Sequence, residues 1–389
     1  MDARGAQLLH WASMRTVIRA AAVVLVLGAS APGVGAQAWV TAYYTGWRQS
    51  RLAPDQIDYE AVTHVVHFAV VPRVDGTLDA KTNLLTPANI ASAVAAAHGA
   101  GKKILFTVGG QNSRAAFVSA MSRRNRDVFI SCLVRFLGDN HYDGIDIDME
   151  EIAASDAKDY AAFIKELRER LNAISPRPLL TAAVRWQPAL FARLADRFDQ
   201  INIMTYHLSG PYAGWVSWHD APIFDGNRRF ANGSPGLPST DGIAKLFIAA
   251  GVPRSKLGVG LSFNGSVWTG AGIDAPGKSW KSPPQVKNVP YYALADAYKI
   301  TEGDDSNPDY HWDEKAQAAY LGIPGRDGAD GQFVSYANAT TVDKLSQYAR
   351  EQGLGGLFVW DLGAGYRAEQ PAGRRDPLLQ AIKVARERP

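Results

Sequence analysis

Residues 142–150 read Tyr142-Asp143-Gly144-Ile145-Asp146-Ile147-Asp148-Met149-Glu150, and this stretch decides the fold. Acids alternate with apolar residues, a period of two that belongs to a β-strand. Alternate side chains on a strand share a face, so Asp146, Asp148 and Glu150 point one way. Ile145, Ile147 and Met149 point the other way, towards covering helices. The apolar face implies a buried sheet, with the carboxylates inside it. Like charges at contact distance cannot all ionise, so one of the three is expected to hold a proton near neutral pH. A structural protein gains nothing from that arrangement. It suits a reaction in which a protonated carboxyl donates to a departing oxygen, as in glycosidic-bond cleavage. Acidic triplets also bind calcium, but those ligands come from a loop with a sharp turn rather than an apolar strand. A solvated strand face is the other alternative, and the apolar opposite face argues against it.

Short β-rich runs recur on both sides, at residues 39–44, 64–71, 103–108, 144–149, 179–184, 201–206, 258–263 and 356–360. Amphipathic segments separate most of them. Thr86-Pro87 reads as an N-cap followed by proline at the first helical position, opening a helix over 88–100. Residues 157–174 carry Tyr160, Phe163, Ile164, Leu167 and Leu171 at helical spacing. Segments 240–250 and 342–351 precede the last two strands. Eight strands alternating with helices predict an α/β fold, a closed parallel (β/α)8 TIM barrel. Between Phe263 and Gly355 lie about ninety residues, too many for one βα unit. Their aromatic content, including Tyr291, Tyr292, Trp312 and Tyr336, argues against a structureless loop. A small α+β insertion over roughly 266–340 is therefore expected between the seventh and eighth strands, above the barrel mouth.

Arg15 and Arg19 precede an apolar run over 20–27, which leads into Gly33-Val34-Gly35-Ala36. A basic region, a short apolar core and a small-residue cleavage site predict a signal peptide over 1–36 and a catalytic barrel over 37–389. Cleavage after Ala38 is the second choice, and Met14 is an alternative start. The apolar run is too short to span a bilayer, so the mature protein is expected in the periplasm or outside the cell, without membrane attachment. Cys132 is the only cysteine, which excludes an intramolecular disulfide. It follows Phe129 and precedes Leu133 in a helical pattern and is expected to be a buried small apolar residue. The net charge of +3 is spread along the chain, unlike the clustered basic stripe of a nucleic-acid binder.

The run from Asp143 to Glu150 matches Asp-Gly-x-Asp-x-Asp-x-Glu, and there it resembles the fourth-strand signature of glycoside hydrolase family 18, the chitinase family. Lys103-Ile104-Leu105-Phe106-Thr107-Val108-Gly109-Gly110 is similar to that family's third strand, Met204-Thr205-Tyr206 to its sixth, and Gly355-Gly356-Leu357-Phe358-Val359-Trp360 to its eighth. Tyr43 and Trp47 fall where the family places first-strand aromatics that touch sugar. The likeness runs in order from about Trp39 to Trp360.

The resemblance implies a retaining mechanism in which the substrate's N-acetyl oxygen, rather than a protein group, is the nucleophile. Glu150 would be the catalytic acid, Asp148 would orient the acetamido N–H, and Asp146 would share a proton with Asp148. Tyr206 would bond the acetamido group from the opposite side, and Trp360 would form the floor under the sugar. Asp143, Met204 and His207 join Tyr43, Trp47 and Trp360 as expected substrate-binding residues. Gly109 and Gly110 are read as letting the strand end turn tightly. Trp47, Trp215, Trp218 and Trp312 fit either sugar platforms or ordinary packing.

The chain also departs from the family pattern. His207 stands where members commonly carry Asp, which adds a titratable group and changes the charge. Met149 and Glu151 replace aromatics beside the acid, and Ser262-Phe263-Asn264-Gly265 lacks a Tyr before the Gly. Phe68 is one position displaced from an expected site aromatic, which turns it to the opposite face. The resemblance implies an endo-acting chitinase on chitin or N-acetylglucosamine oligosaccharides. The alternatives are an endo-β-N-acetylglucosaminidase on N-glycans, an enzyme on peptidoglycan-derived glycans, and a chitin-binding lectin-like protein. An intact Glu150 separates the enzymes from the lectin, and the long segment before the last strand leans towards chitinase. No metal or organic cofactor is implied, and a monomer is expected.

Overall fold

In the computed structural model the acidic run forms β5 (Gly144–Met149), flanked in parallel by β4 (Lys103–Gly110) and β6 (Leu179–Val184). The structure describes residues 38–301, 307–326 and 329–388, so the expected signal peptide over 1–36 lies outside the described residues. From β6 the sheet continues through β7 (Gln200–Ile203) and β8 (Leu257–Ser262) to β14 (Gly356–Trp360). On the other side β4 pairs with β2 (His64–Pro72), which also carries the two-residue β3 (Leu78–Asp79). The first strand, β1 (Trp39–Thr45), pairs in parallel with both β14 and β2 and closes an eight-stranded barrel. Helices lie between the strands, which makes this the expected TIM barrel.

Strand alternation sorts the apolar residues into two cores. Ile145 and Ile147 face outwards into the large layer shared with Phe163, Ile164 and Leu167 of the helix Ala157–Asn172. A smaller inner cluster holds Tyr43, Val66, Leu105, Met204, Tyr206 and Phe358. The helix Pro87–Gly99 begins as its cap predicts, with the Thr86 hydroxyl accepting the Asn89 N–H. Cys132 is half-buried rather than buried, on the flank of the helix Arg126–Asp139 between buried Leu133 and exposed Arg135. The sixth barrel strand stops at Ile203, short of the expected 206. There Thr205 leaves the ladder and its hydroxyl donates instead to the Gly260 carbonyl.

One residue after β8 the chain enters β9 (Asn264–Gly270), part of a separate antiparallel sheet. Its other strands are β10 (Gln285–Pro290), β11 (Tyr310–Asp313), β12 (Ala318–Ile323) and β13 (Gly331–Tyr336), in the order β10-β9-β13-β12-β11. The helix Tyr291–Ala297 follows β10 directly. Trp268, Ile273 and Phe333 form a core of this element's own. Among the described residues no helix is long and apolar enough to cross a membrane.

Candidate active site

The carboxylates of β5 sit at graded depth. Asp146 is wholly buried and lies level, in strand register, with Thr107 of β4 and Thr181 of β6. The Thr181 hydroxyl donates to Asp146 Oδ1 at 2.6 Å, and the Thr107 hydroxyl donates to Oδ2 at 3.1 Å. Tyr43 of β1 reaches across the barrel and donates its phenol to Oδ2 at 2.7 Å. Burial raises the Asp146 pKa above the ordinary carboxylate range, and the three hydroxyls partly oppose that rise. Asp148 stands two residues nearer the mouth and is 3% exposed. Its Oδ1 is buried and accepts no hydrogen bond from the described residues. Burial first, then the charges of Glu150 and Asp146, push its pKa well up, with Arg185 opposing. Glu150 follows the last residue of β5 and, with Asp148, lines a cleft of about 640 Å³ at the barrel mouth.

Aromatic side chains build the floor. Trp360 ends β14, with Phe68 edge-on at 4.8 Å between ring centroids and Tyr43 tilted at 5.7 Å. Trp47 stands edge-on to Phe68 at 5.7 Å and remains 38% exposed in the cleft. The Tyr206 ring lies over Gly260, where a Cβ would fall 2.8 Å from it, so a larger residue there would displace the tyrosine. Burial, then the charges of Asp148 and Glu150, raise the Tyr206 pKa and keep its hydroxyl a donor. Gly109 and Gly110 take φ of +122° and +98°, as the expected turn requires. Close approach matters as well: a Cβ on Gly109 would fall 2.0 Å from the Asp148 carbonyl oxygen, and one on Gly110 2.7 Å from the Phe68 ring.

His207 closes the opposite wall with a φ of +51°. Its N–H donates to Asp220 Oδ2 at 3.4 Å, and its Nε2 lies 2.7 Å from Asn288 Nδ2 of the insertion strand β10. Arg185, immediately after β6, donates to the carbonyls of Tyr206 at 2.9 Å and His207 at 3.3 Å.

The cleft thus brings together Glu150, Asp148, Tyr206, Tyr43, Trp47, Met204, His207 and Trp360, with Asp146 beneath them. Asp143 is a correction. It sits at the far end of the barrel, bonded to Lys103 Nζ, the Ile104 N–H and His98 Nε2. Burial tends to raise its pKa, but these partners outweigh burial and lower it. Seven residue steps along the strand, roughly 23 Å, separate it from Glu150, and its odd position puts it on the other face. Phe68 is a second correction, because it shares the inner face with Val66 and lines the cleft. Alternation alone puts Phe68, two residues after Val66, on that face, and the register shift between His67 and Val70 brings Ala69 there too. Trp215 and Trp218 are packing residues, buried with Phe230 and Leu237, and Trp312 packs against the main core. Arg185 and Trp186 escaped the sequence reading, although their place just past a barrel strand's C-terminal end was a usable signal. Asn288 carried no such signal.

A family model described as Glycosyl hydrolases family 18 matches residues 40–365. The chain is 30% identical over 302 residues to a probable endochitinase of Caenorhabditis elegans, a match that covers 72% of this chain and 47% of that one. It thus spans about half the length of that curated relative. The solved Group IV chitinase of Ostrinia furnacalis is similar with a TM-score of 0.77 at 21% identity, covering 90% of this chain and all of that chain. Human YKL-39, described as a pseudo-chitinase with retained chitooligosaccharide binding, is similar with a TM-score of 0.73 at 20% identity, over 90% of this chain and 99% of that one. At such identities the two solved structures speak for the fold alone.

Proposed function

From a chain that belongs to glycosyl hydrolases family 18, we propose a secreted, endo-acting chitinase-like enzyme that cleaves β-1,4-linked N-acetylglucosamine polymers with retention. Glu150 donates its proton to the departing glycosidic oxygen. The substrate's acetamido carbonyl oxygen attacks the anomeric carbon from the other side, and the glycosidic bond breaks as a cyclic oxazolinium forms. Asp148 receives the acetamido N–H and offsets the developing positive charge, while Asp146 holds a shared proton below it. Tyr206 donates to the acetamido oxygen, and Trp360 lies under the distorted ring. Water then adds to the anomeric carbon as the oxazolinium C–O bond breaks and the acetamido group re-forms, and the water gives its proton back to Glu150.

The observation that carries this reading is Asp148: a cleft-lining carboxyl, 3% exposed, next to Glu150 and with a buried Oδ1 that no described residue satisfies. Such an orphaned polar atom is costly unless a ligand pairs with it, and an amide N–H is a suitable partner. Arg15, Arg19 and the apolar run after them support export to the periplasm or the medium. The test is an assay of the chain from Gln37 onward, with Glu150→Gln alongside, on chitin oligosaccharides and an N-glycopeptide, with products identified by mass. Cleavage of the oligosaccharides by wild type only is the expected outcome. Cleavage of the glycopeptide alone would move the substrate to N-glycans, and binding of the oligosaccharides without turnover would make the protein a lectin.

A further inference from the structure

The insertion reaches the cleft through β10, where Val286 and Asn288 line the wall and Lys287 alternates to the opposite face. Asn288 pairs in register with Ser266 of β9, whose hydroxyl donates to Asp220 Oδ1 at 2.5 Å. Asp220 also accepts the His207 N–H, so the backbone and the ring of His207 are both tied to the insertion sheet. An amide nitrogen only donates, so His207 Nε2 accepts from Asn288, and the neutral imidazole carries its proton on Nδ1. Asn288 itself is exposed in the cleft.

We propose that Asn288 is a specificity-determining residue that reads an uncharged sugar substituent, a hydroxyl or acetamido group, and discriminates against the ammonium of a deacetylated unit. This rests on the carbohydrate reading above. An amide offers a donor and an acceptor but no charge, and the imidazole beside it is tied to that amide. The charged groups nearby do not help a cation. Arg185 lines the cleft itself, with its guanidinium bonded to the His207 carbonyl. Asp220 is 2% exposed and holds the His207 N–H and the Ser266 hydroxyl. The Tyr206 ring packs on His207 at 5.2 Å, and the carboxylates of Asp148, Glu150 and Glu151 belong to the end of β5. An ammonium at this wall gives up water and finds an amide, an imidazole and a guanidinium.

The test reads affinity in a Glu150→Gln background, so that no turnover is needed. Calorimetry compares fully acetylated chitin oligosaccharides with partly deacetylated ones of the same length, for Asn288 and for Asn288→Asp and Asn288→Ala. One unit charge at roughly 6 Å under partial solvent screening is worth about tenfold, so Asn288→Asp is expected to move the affinity ratio towards the amine-bearing ligand by that factor. Asn288→Ala is expected to weaken the acetylated ligand and change the ratio less. An unmoved ratio in Asn288→Asp overturns the proposal, even if the wild type cleaves chitin oligosaccharides. A ratio that moves while the wild type cleaves nothing upholds the selectivity and removes the hydrolase. Binding of neither ligand overturns both.

Discussion

Replacing Tyr43 by phenylalanine deletes one oxygen from the deepest part of the site. The lost phenol donates to Asp146 Oδ2 at 2.7 Å, between side chains that are 1% and 0% exposed, so water does not replace it. Oδ2 is left with Thr107 at 3.1 Å. The ring is kept, so no cavity opens, and the cost is that of the hydrogen bond. The three hydroxyls hold Asp146 below the pKa that burial alone would impose, so removing one raises its folded-state value further. A raised folded-state pKa leaves the acid end of the stability curve untouched. It costs stability as pH climbs from the ordinary carboxylate value through the folded one. Tyr43→Phe is therefore expected to lose about 1 kcal/mol near pH 4, where the bond is between neutral groups, and about 1.5–3 kcal/mol near pH 8, where it is charge-assisted. Urea unfolding followed by tryptophan fluorescence at both pH values measures the two costs. A cost under about 0.5 kcal/mol near pH 8, or one that shrinks as pH rises, would refute the reasoning.

Two further changes test the electrostatics elsewhere. Arg185→Met removes the positive charge that opposes the rise at Asp148. The limb of the kcat/KM–pH profile governed by that carboxyl is expected to move to higher pH, and a limb that stays put or moves down would show that Arg185 does not act on it. Asp376, at the start of the helix Pro377–Glu387, is pushed up to about 7 by burial and then by the charge of Asp58, and its Oδ1 has no partner among the described residues. The wild type should thus lose stability as pH rises from the ordinary carboxylate value to about 7, by up to roughly 4 kcal/mol. Asp376→Asn removes that loss, so its advantage in thermal midpoint is expected to widen across the window and level off above it; a constant difference between the two proteins would count against the shift.

Much of the site was legible because strand geometry has a period of two. That period alone put Asp146, Asp148 and Glu150 on one face and Ile145 and Ile147 on the other, and counting runs between turns was enough for a closed barrel. The same parity would have kept Asp143 out of the site, had it been applied against the pull of the motif. Other features depend on which strands lie side by side and at what register. Tyr43 meets Asp146 across 103 residues of sequence, and Thr107 and Thr181 flank it because β4, β5 and β6 align at one level. A register shift between His67 and Val70 brings Ala69 into the inner cluster beside Phe68, which a strict alternation could not foresee. Trp47 and Trp218 are the same residue type, yet one is 38% exposed in the cleft and the other fully buried. Asn288 had no mark in the sequence, and it reaches His207 only because β9 continues from β8 and β10 folds back upon it over the mouth. Local pattern determined which residues face inwards, since that follows from backbone geometry along a single strand. Chain closure decided which of them meet, since contacts between distant segments depend on register and packing that no single segment encodes.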